Sequence, residues 1–268
     1  MRMIDFGISH SKIDVICITH LHGDHFFGIF GLLTSMSLNQ RQKDLIIVGP
    51  PDLEDIVNAV VHFNKYPLPF SLEFVKTQAE KPSVIFEDKW VTISTVPLTH
   101  RIETTGYILR EKQRPSRISG DALESYNVPI DKRKGIVGGD DFIDADGNLI
   151  PNKVFITGQP KSRSFAFCTD TKYKPDIVAE IKGVDILYHE ATFLEDEIAR
   201  ANETNHSTAR QAGQIASQAE VGKLLIGHWS ARYINLDPHL LEAKEIFPET
   251  YLAIEGRTFE VPYEIIES

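Results

Sequence analysis

An α/β fold of stacked layers is what this sequence predicts, and three observations carry the reading. Apolar runs of strand length alternate with stretches of helical spacing through the first part of the chain. Short alternating strands follow. Histidine and aspartate repeatedly stand where an apolar run stops, the end of a strand at which such sheets present their chemistry.

With 268 residues, 42% hydrophobic and 25% charged, the chain has room for one large domain or two small ones and the composition of an ordinary globular protein. No apolar run approaches the roughly 20 residues that cross a bilayer. Met1-Arg2-Met3-Ile4-Asp5 does not open a signal peptide, so no membrane association and a cytoplasmic location are expected. Cys17 and Cys168 each lie in an apolar run, which reads as two small buried hydrophobes and not as a disulfide framework. A net charge of −10 argues against indiscriminate binding to nucleic acid. Between Arg101 and Lys174, however, 13 Lys and Arg face 10 Asp and Glu, which leaves −13 on the rest of the chain. A basic insert on an acidic body fits docking of a phosphate-rich partner, and a solvated loop with incidental charge fits equally well.

In chain order, Ile13 to Ile18 reads as a buried strand. It stops at Thr19-His20-Leu21-His22-Gly23-Asp24-His25, four potential metal ligands within six residues, with Gly23 allowing a sharp turn among them. Histidine with aspartate is a borderline-to-hard donor set suited to zinc or manganese. His20 and His22 can face one ion, Asp24 and His25 a second. The apolar run from Phe26 predicts a helix over 25–39. A second strand covers 45–48, and Leu53, Ile56, Val57, Val60 and Val61 predict a helix over 52–64. His62 on that helix reads as a surface or packing residue. Short strands are expected over 72–75, 83–86 and 90–96, the last leading to His100, and then over 105–109.

Residues 110–163 change character. Arg110, Lys112, Arg114 and Arg117 crowd together, and Lys132-Arg133-Lys134 follows. Asp146-Gly147 between Phe142-Ile143 and Leu149-Ile150 signals a tight hairpin. Apolar residues look too few for a core, so a flexible basic arm is expected. The strand pattern returns over 164–168 and leads to Asp170, whose two oxygens can each hold one ion. A helix over 175–182 comes next, then a strand over 185–188 leading to His189-Glu190-Ala191-Thr192. Asn205-His206-Ser207-Thr208 opens a helix with Ser207 as the expected N-cap. A strand over 223–226 ends in Gly227-His228. A helix over 237–247 and strands over 251–254 and 258–261 close the chain. His10 and His239 are expected at the surface.

His20-x-His22-x-Asp24-His25 after an apolar strand resembles the metal motif of the metallo-β-lactamase superfamily. The remaining motifs narrow the choice. They are Pro97-Leu98-x-His100 with Gly106-Tyr107, His189-Glu190-Ala191-Thr192, His206-Ser207-Thr208 and His228-x-Ser230-x-Arg232-Tyr233. With them, the chain is similar from about residue 12 onward to the ribonuclease Z family of tRNA 3′-processing endonucleases. The resemblance implies an αββα sandwich of two mixed sheets, a single domain over 1–268 with 110–163 as an inserted arm, and two zinc ions per chain, with manganese as the other metal. It implies that His20, His22 and His100 hold one ion, that Asp24, His25 and His228 hold the other, and that Asp170 bridges. Hydroxide between the ions would attack the phosphodiester of precursor tRNA. Asp24 would accept a proton from the bound water. His206, hydrogen-bonded to Glu190, would protonate the leaving 3′ oxygen, with simple helix capping as the other reading of His206.

Arg110, Lys112, Arg114, Arg117, Lys132, Arg133 and Lys134 would grip the RNA, although Gly135-Ile136-Val137-Gly138-Gly139 lacks the proline often found in the family's arm. A homodimer carries over from the family. Two other readings share the ligand set: another dinuclear-zinc phosphodiesterase or esterase of the superfamily, and an inactive truncated relative that only binds RNA. The family places strands and an Asp-Cys-Gly-type turn ahead of the metal-motif strand. Only 12 residues precede Ile13 here. An N-terminally shortened chain is therefore expected, with an unpaired sheet edge and poor stability as the consequence.

Overall fold

The structure, a computed structural model, describes residues 2–63 and 67–266, and the side chains of residues 62 and 63 are not described. The expectations for His62 and for a helix reaching residue 64 fall outside the described residues. Backbone proximity divides the chain into two compact units. One comprises Met1–Glu87, Thr92–Leu109 and Ser164–Phe259, the other Asp88–Val91, Arg110–Arg163 and Glu260–Ser268.

Two sheets run through the first unit. Strands β1 (Val15–Cys17), β2 (Leu45–Gly49) and β3 (Leu72–Lys76) pair in parallel, in that order. The parallel arrangement follows from crossovers that each pass through a helix, Gly28–Leu38 and then Leu53–Phe63. The larger sheet contains β4 (Val84–Glu87), β5 (Val91–Pro97), β6 (Thr105–Glu111), β7 (Ser164–Cys168), β8 (Ile186–Glu190), β9 (Lys223–Gly227) and β10 (Thr250–Leu252), ordered β10-β9-β8-β7-β6-β5-β4. Strands β7 to β10 are parallel and β4 is antiparallel to β5. The mixing expected of both sheets is thus confined to the larger one.

Each sheet has its own helical cover. Leu33 and Met36 from one helix and Leu53 and Val57 from the next close over Leu45 and Ile47, all at most 1% exposed. On the large sheet, Ala212, Ile215 and Ala216 of helix Ala209–Gln218 and Ala243 of helix Asp237–Ile246 cover Leu187 and Leu224. Each fully buried Leu or Ile contributes about 1.5–3 kcal/mol. The sheets are tied together beside the metal-motif loop. The Tyr107 hydroxyl on β6 donates to the Ile18 carbonyl at 2.6 Å, and the Thr105 amide donates to the Thr19 carbonyl at 3.0 Å. This gives the helix–sheet–sheet–helix layering expected. Cys17 and Cys168 are free thiols, as expected, but only Cys168 is fully buried and Cys17 is half-buried; desolvation pushes both up to about 12. Among the described residues no helix is long and apolar enough to cross a membrane.

The second unit corrects the expectation of a coreless arm. Leu123, Val128, Ile136, Phe142 and Phe155 form a buried cluster. Its apolar residues are few, but two short helices (Gly120–Ser125 and Ile130–Val137) and the Phe142–Ile143/Leu149–Ile150 hairpin bring them together. Phe155 is wholly buried and meets Tyr126 and Phe142 edge-on. Strands Arg117–Ile118 and Ile265–Ile266 flank Ile156–Pro160. The unit's sequence carries 11 Lys and Arg against 12 Asp and Glu, so its positive charge is local and not a net excess.

Smaller differences have local causes. The helix expected over 25–39 is split at Phe27 into Gly23–Phe26 and Gly28–Leu38, because its first turn belongs to the ligand loop. The helix expected over 175–182 is a short 3-10 turn, Pro175–Val178. No strand forms over 258–261; the late pairing is Ile265–Ile266 with Gln159 and Pro160. Thr208, not Ser207, caps helix Ala209–Gln218: its side chain accepts from the Gln211 amide while Gln211 accepts from the Thr208 amide, a capping box. Ser207 is instead turned inward, and its hydroxyl donates to the Thr171 carbonyl at 2.7 Å. His239 is fully buried, not at the surface, with its ring edge-on to Tyr233 at 4.4 Å, and burial lowers its pKa to about 4.

Candidate metal centre

The predicted ligands converge at one end of the first unit. His20 and His22 lie in the loop after β1, and Asp24 and His25 in the helical turn Gly23–Phe26. His100 lies between β5 and β6. Asp170 and His228 follow β7 and β9 by two residues and one residue, respectively. Both Asp170 and His228 take a left-handed backbone, φ 53° and 60°. Side-chain-bearing residues adopt this conformation rarely, and it clusters at functional sites.

The donor atoms fall into groups, each within 4.8 Å: His20, His22, His100 and Asp170 in one, Asp24, His25 and His228 in another, and Asp170, His206 and His228 in a third. Asp170 divides its carboxylate between the first two. Its Oδ2 lies 3.7 Å from His20 Nε2 and 3.8 Å from His100 Nε2, and its Oδ1 lies 3.2 Å from His228 Nε2 and 3.5 Å from His25 Nε2. Asp24 is exposed, its Oδ2 3.4 Å from His25 Nε2.

These residues fit a divalent cation. Buried His20 Nε2 has no hydrogen-bond partner, an arrangement that costs about 1–3 kcal/mol unless something meets the lone pair. Burial, with the positive charge of neighbouring histidines against the opposing pull of Asp170, lowers His20 to about 4, so the imidazole is neutral and ligand-ready. His100 is lowered too, burial outweighing its hydrogen bond and Asp170. Its Nδ1 lies 3.1 Å from the Asn205 carbonyl oxygen, which can only accept, so Nδ1 holds the proton and Nε2 is bare. Burial raises Asp170, but His228, His25, the Thr169 hydroxyl and His20 outweigh it, and the net shift is downward.

Glu190, fully buried, receives four donors. Oε1 accepts from His206 Nδ1 at 2.9 Å and the Thr171 amide at 2.5 Å; Oε2 accepts from the Thr192 hydroxyl at 2.6 Å and the Ser207 amide at 3.0 Å. Burial works to lower His206, but the hydrogen bond and charge of Glu190, with Asp170 behind, leave it raised. Sequence reasoning had no part for Asn205, although Asn beyond a helix end is a common left-handed C-cap, and its φ here is 57°. Arg101 and Arg200 were likewise unassigned, and Arg232 stood in a family motif without a role. They line a cavity of about 360 Å³ with His22, His206 and His228.

The seven residues expected to contact RNA lie in the second unit or at its start. Arg110, Lys112, Arg114 and Arg133 are half-buried, and Arg117, Lys132 and Lys134 are exposed. Arg114 pairs with Glu111 at 2.8 Å and, like Arg117, lies over the Tyr263 ring.

Residues 154–229 match the Beta-lactamase superfamily domain. Ribonuclease Z of Bacteroides thetaiotaomicron is 43% identical over 256 residues, 96% of this chain and 81% of that protein. Ribonuclease Z of Porphyromonas gingivalis is 40% identical over 266 residues, covering 95% and 88%. The crystal structure of human tRNase Z, short form, shares the fold with a TM-score of 0.66 at 22% identity, over 97% of this chain and 83% of that one. This is the metallo-β-lactamase fold, whose members bind divalent metal. With identities of this size across nearly its whole length, the chain belongs to the ribonuclease Z family of endoribonucleases.

Proposed function

We propose that this chain is a zinc-dependent endoribonuclease that removes the 3′ trailer from precursor tRNA, using two zinc ions per chain, and that it works in the cytoplasm as a homodimer. The family relation supports the reaction. The observation that carries the two-ion reading is the Asp170 carboxylate, one oxygen toward His20 and His100 and the other toward His25 and His228. His20, His22 and His100 would hold one ion and Asp24, His25 and His228 the other; the donor set suits zinc, with manganese as the second choice. Ions bound there supply a water acidified toward neutral pH and positive charge beside the reacting phosphate.

The protein's own groups do the rest. Exposed Asp24 accepts a proton from the attacking water. His206, held through Nδ1 by Glu190, presents its other nitrogen to the leaving 3′ oxygen and protonates it. Arg101, Arg200 and Arg232 give the cavity a cationic lining suited to a phosphodiester. In the second unit, Arg110, Lys112, Arg114, Arg117, Lys132, Arg133 and Lys134 hold the tRNA backbone, contacts that position without reading sequence.

The test is His228→Ala. Cleavage of precursor tRNA should be abolished and bound zinc should fall below two per chain. Near-normal turnover with both ions retained would end the two-ion reading. Wild-type turnover of a small aryl phosphodiester with none on precursor tRNA would assign the chain to another phosphodiesterase activity.

A further inference from the structure

One buried hydroxyl lies between the proposed ligands and the proposed proton donor. Thr192 follows β8 by two residues and is 5% exposed. Its Oγ1 lies 2.6 Å from Glu190 Oε2, 3.0 Å from His228 Nδ1 and 2.9 Å from the His228 carbonyl oxygen. A hydroxyl has one proton to give. The shortest of these contacts ends on a fully buried carboxylate, and a charge-assisted O–H···O⁻ bond is the strongest on offer, so the proton goes to Glu190. The lone pairs of Oγ1 are then left for His228, and Nδ1 must supply the hydrogen of that contact. Nε2 of His228 is thereby bare, and it faces Asp170 Oδ1 at 3.2 Å. The other oxygen of Glu190 takes His206 Nδ1. His206 Nδ1 also lies 3.4 Å from Thr192 Oγ1, a poorer contact than its 2.9 Å bond to Glu190. The two imidazoles stand stacked with centroids 5.3 Å apart.

We propose that Thr192 is a positioning residue that passes the hold of Glu190 on to His228, fixing the tautomer and aim of that imidazole toward a divalent cation. The proposal rests on the reading of His228 as a metal ligand. Glu190 then serves two imidazoles by two routes, directly to His206 and through one hydroxyl to His228. Valine in place of Thr192 keeps the shape and removes the link. Oε2 would retain only the Ser207 amide, and His228 Nδ1 would lose its acceptor. Partners of this kind, one bond removed from the metal, are worth roughly 10–100-fold in metal affinity.

The experiment measures zinc affinity of the holoenzyme by competition with a chromophoric chelator, in wild type, Thr192→Val, Thr192→Ser and His228→Ala. Thr192→Val should weaken one of the two zinc sites by roughly 10–100-fold, the site that His228→Ala removes, and Thr192→Ser should bind as wild type does. The ratio of rates on precursor tRNA and an aryl phosphodiester should stay unchanged in Thr192→Val, because His206 keeps its bond to Glu190. Nitrogen NMR of zinc-loaded wild type gives a second readout that needs no variant to fold: His228 should carry its proton on Nδ1, protected from exchange. Unchanged zinc affinity in Thr192→Val, equal weakening in Thr192→Ser, or a His228 proton on Nε2 would each overturn the proposal. If His228→Ala itself binds zinc as wild type does, the ligand reading fails, an outcome distinct from a weakened His228→Ala beside an unchanged Thr192→Val.

Discussion

His206 and Glu190, 16 residues apart in sequence, are joined by a 2.9 Å hydrogen bond from the imidazole Nδ1 to Oε1. The pairing raises the His206 pKa above 6.5, since Glu190 outweighs the opposing effect of burial. The stabilisation that comes with a raised histidine is complete below the unfolded value of about 6.5 and is lost as pH rises through the folded value. The protonated form is also the one that can act as an acid. Precursor-tRNA cleavage should therefore fall on the alkaline side, along a limb lying above pH 6.5, and Glu190→Gln should move that limb to lower pH. The check is a pH profile of kcat for both proteins. A limb that stays in place would remove Glu190 from control of this proton.

His206→Ala should slow precursor-tRNA cleavage by roughly 10² to 10⁴, the usual contribution of a positioned acid. The deficit should shrink on a substrate that releases nitrophenolate, which leaves without needing a proton. Zinc content should not change. A deficit of the same size on both substrates would make His206 a structural residue.

Phe155→Ala should destabilise the second unit by about 3–5 kcal/mol, because the ring is wholly buried among Leu123, Val128, Ile136 and Phe142. Limited proteolysis should then cut within 110–163 while the helices of the first unit stay protected. Precursor-tRNA cleavage should suffer far more than hydrolysis of an aryl phosphodiester. Equal losses on the two substrates would show that this unit does not serve RNA binding.

Thr208→Ala should lower stability by about 1 kcal/mol through loss of the cap on helix Ala209–Gln218. The hydroxyl that is lost also donates to Glu195 Oε2 at 2.6 Å. Denaturant melts of Thr208→Ala and wild type measure the difference. An unchanged midpoint would show that the capping box adds nothing.

The metal-motif loop was legible because its four donors adjoin one another in sequence. His100, Asp170 and His228 were legible because each follows an apolar strand, and the fold gathers strand ends. The pairing of His206 with Glu190 came from family motifs and not from any periodicity. The core of the second unit was hidden because its apolar residues are spread over elements too short to show a period. Ser207 and Thr208 are equally good caps by type; Gln211, three residues beyond Thr208, decides between them. His239 sits on a helix whose weak amphipathicity conceals its burial, which is set by tertiary packing against Tyr233.

The ladder of β7, β8 and β9 sets Cys168 beside His189 and His189 beside Ile226. Asp170 and His228 therefore stand the same two steps past a common rung. The sheet acts as a ruler for the centre. Residues of the connections beyond Asp170 and His228 can be gained or lost without disturbing the spacing of these two donors. A single residue gained or lost inside β7 or β9 would shift a donor by about 3.3 Å and turn it to the opposite face. Tolerance to insertion around these two donors should follow the ladder, with the connections beyond Asp170 and His228 permissive and the stretch from rung to donor closed to change.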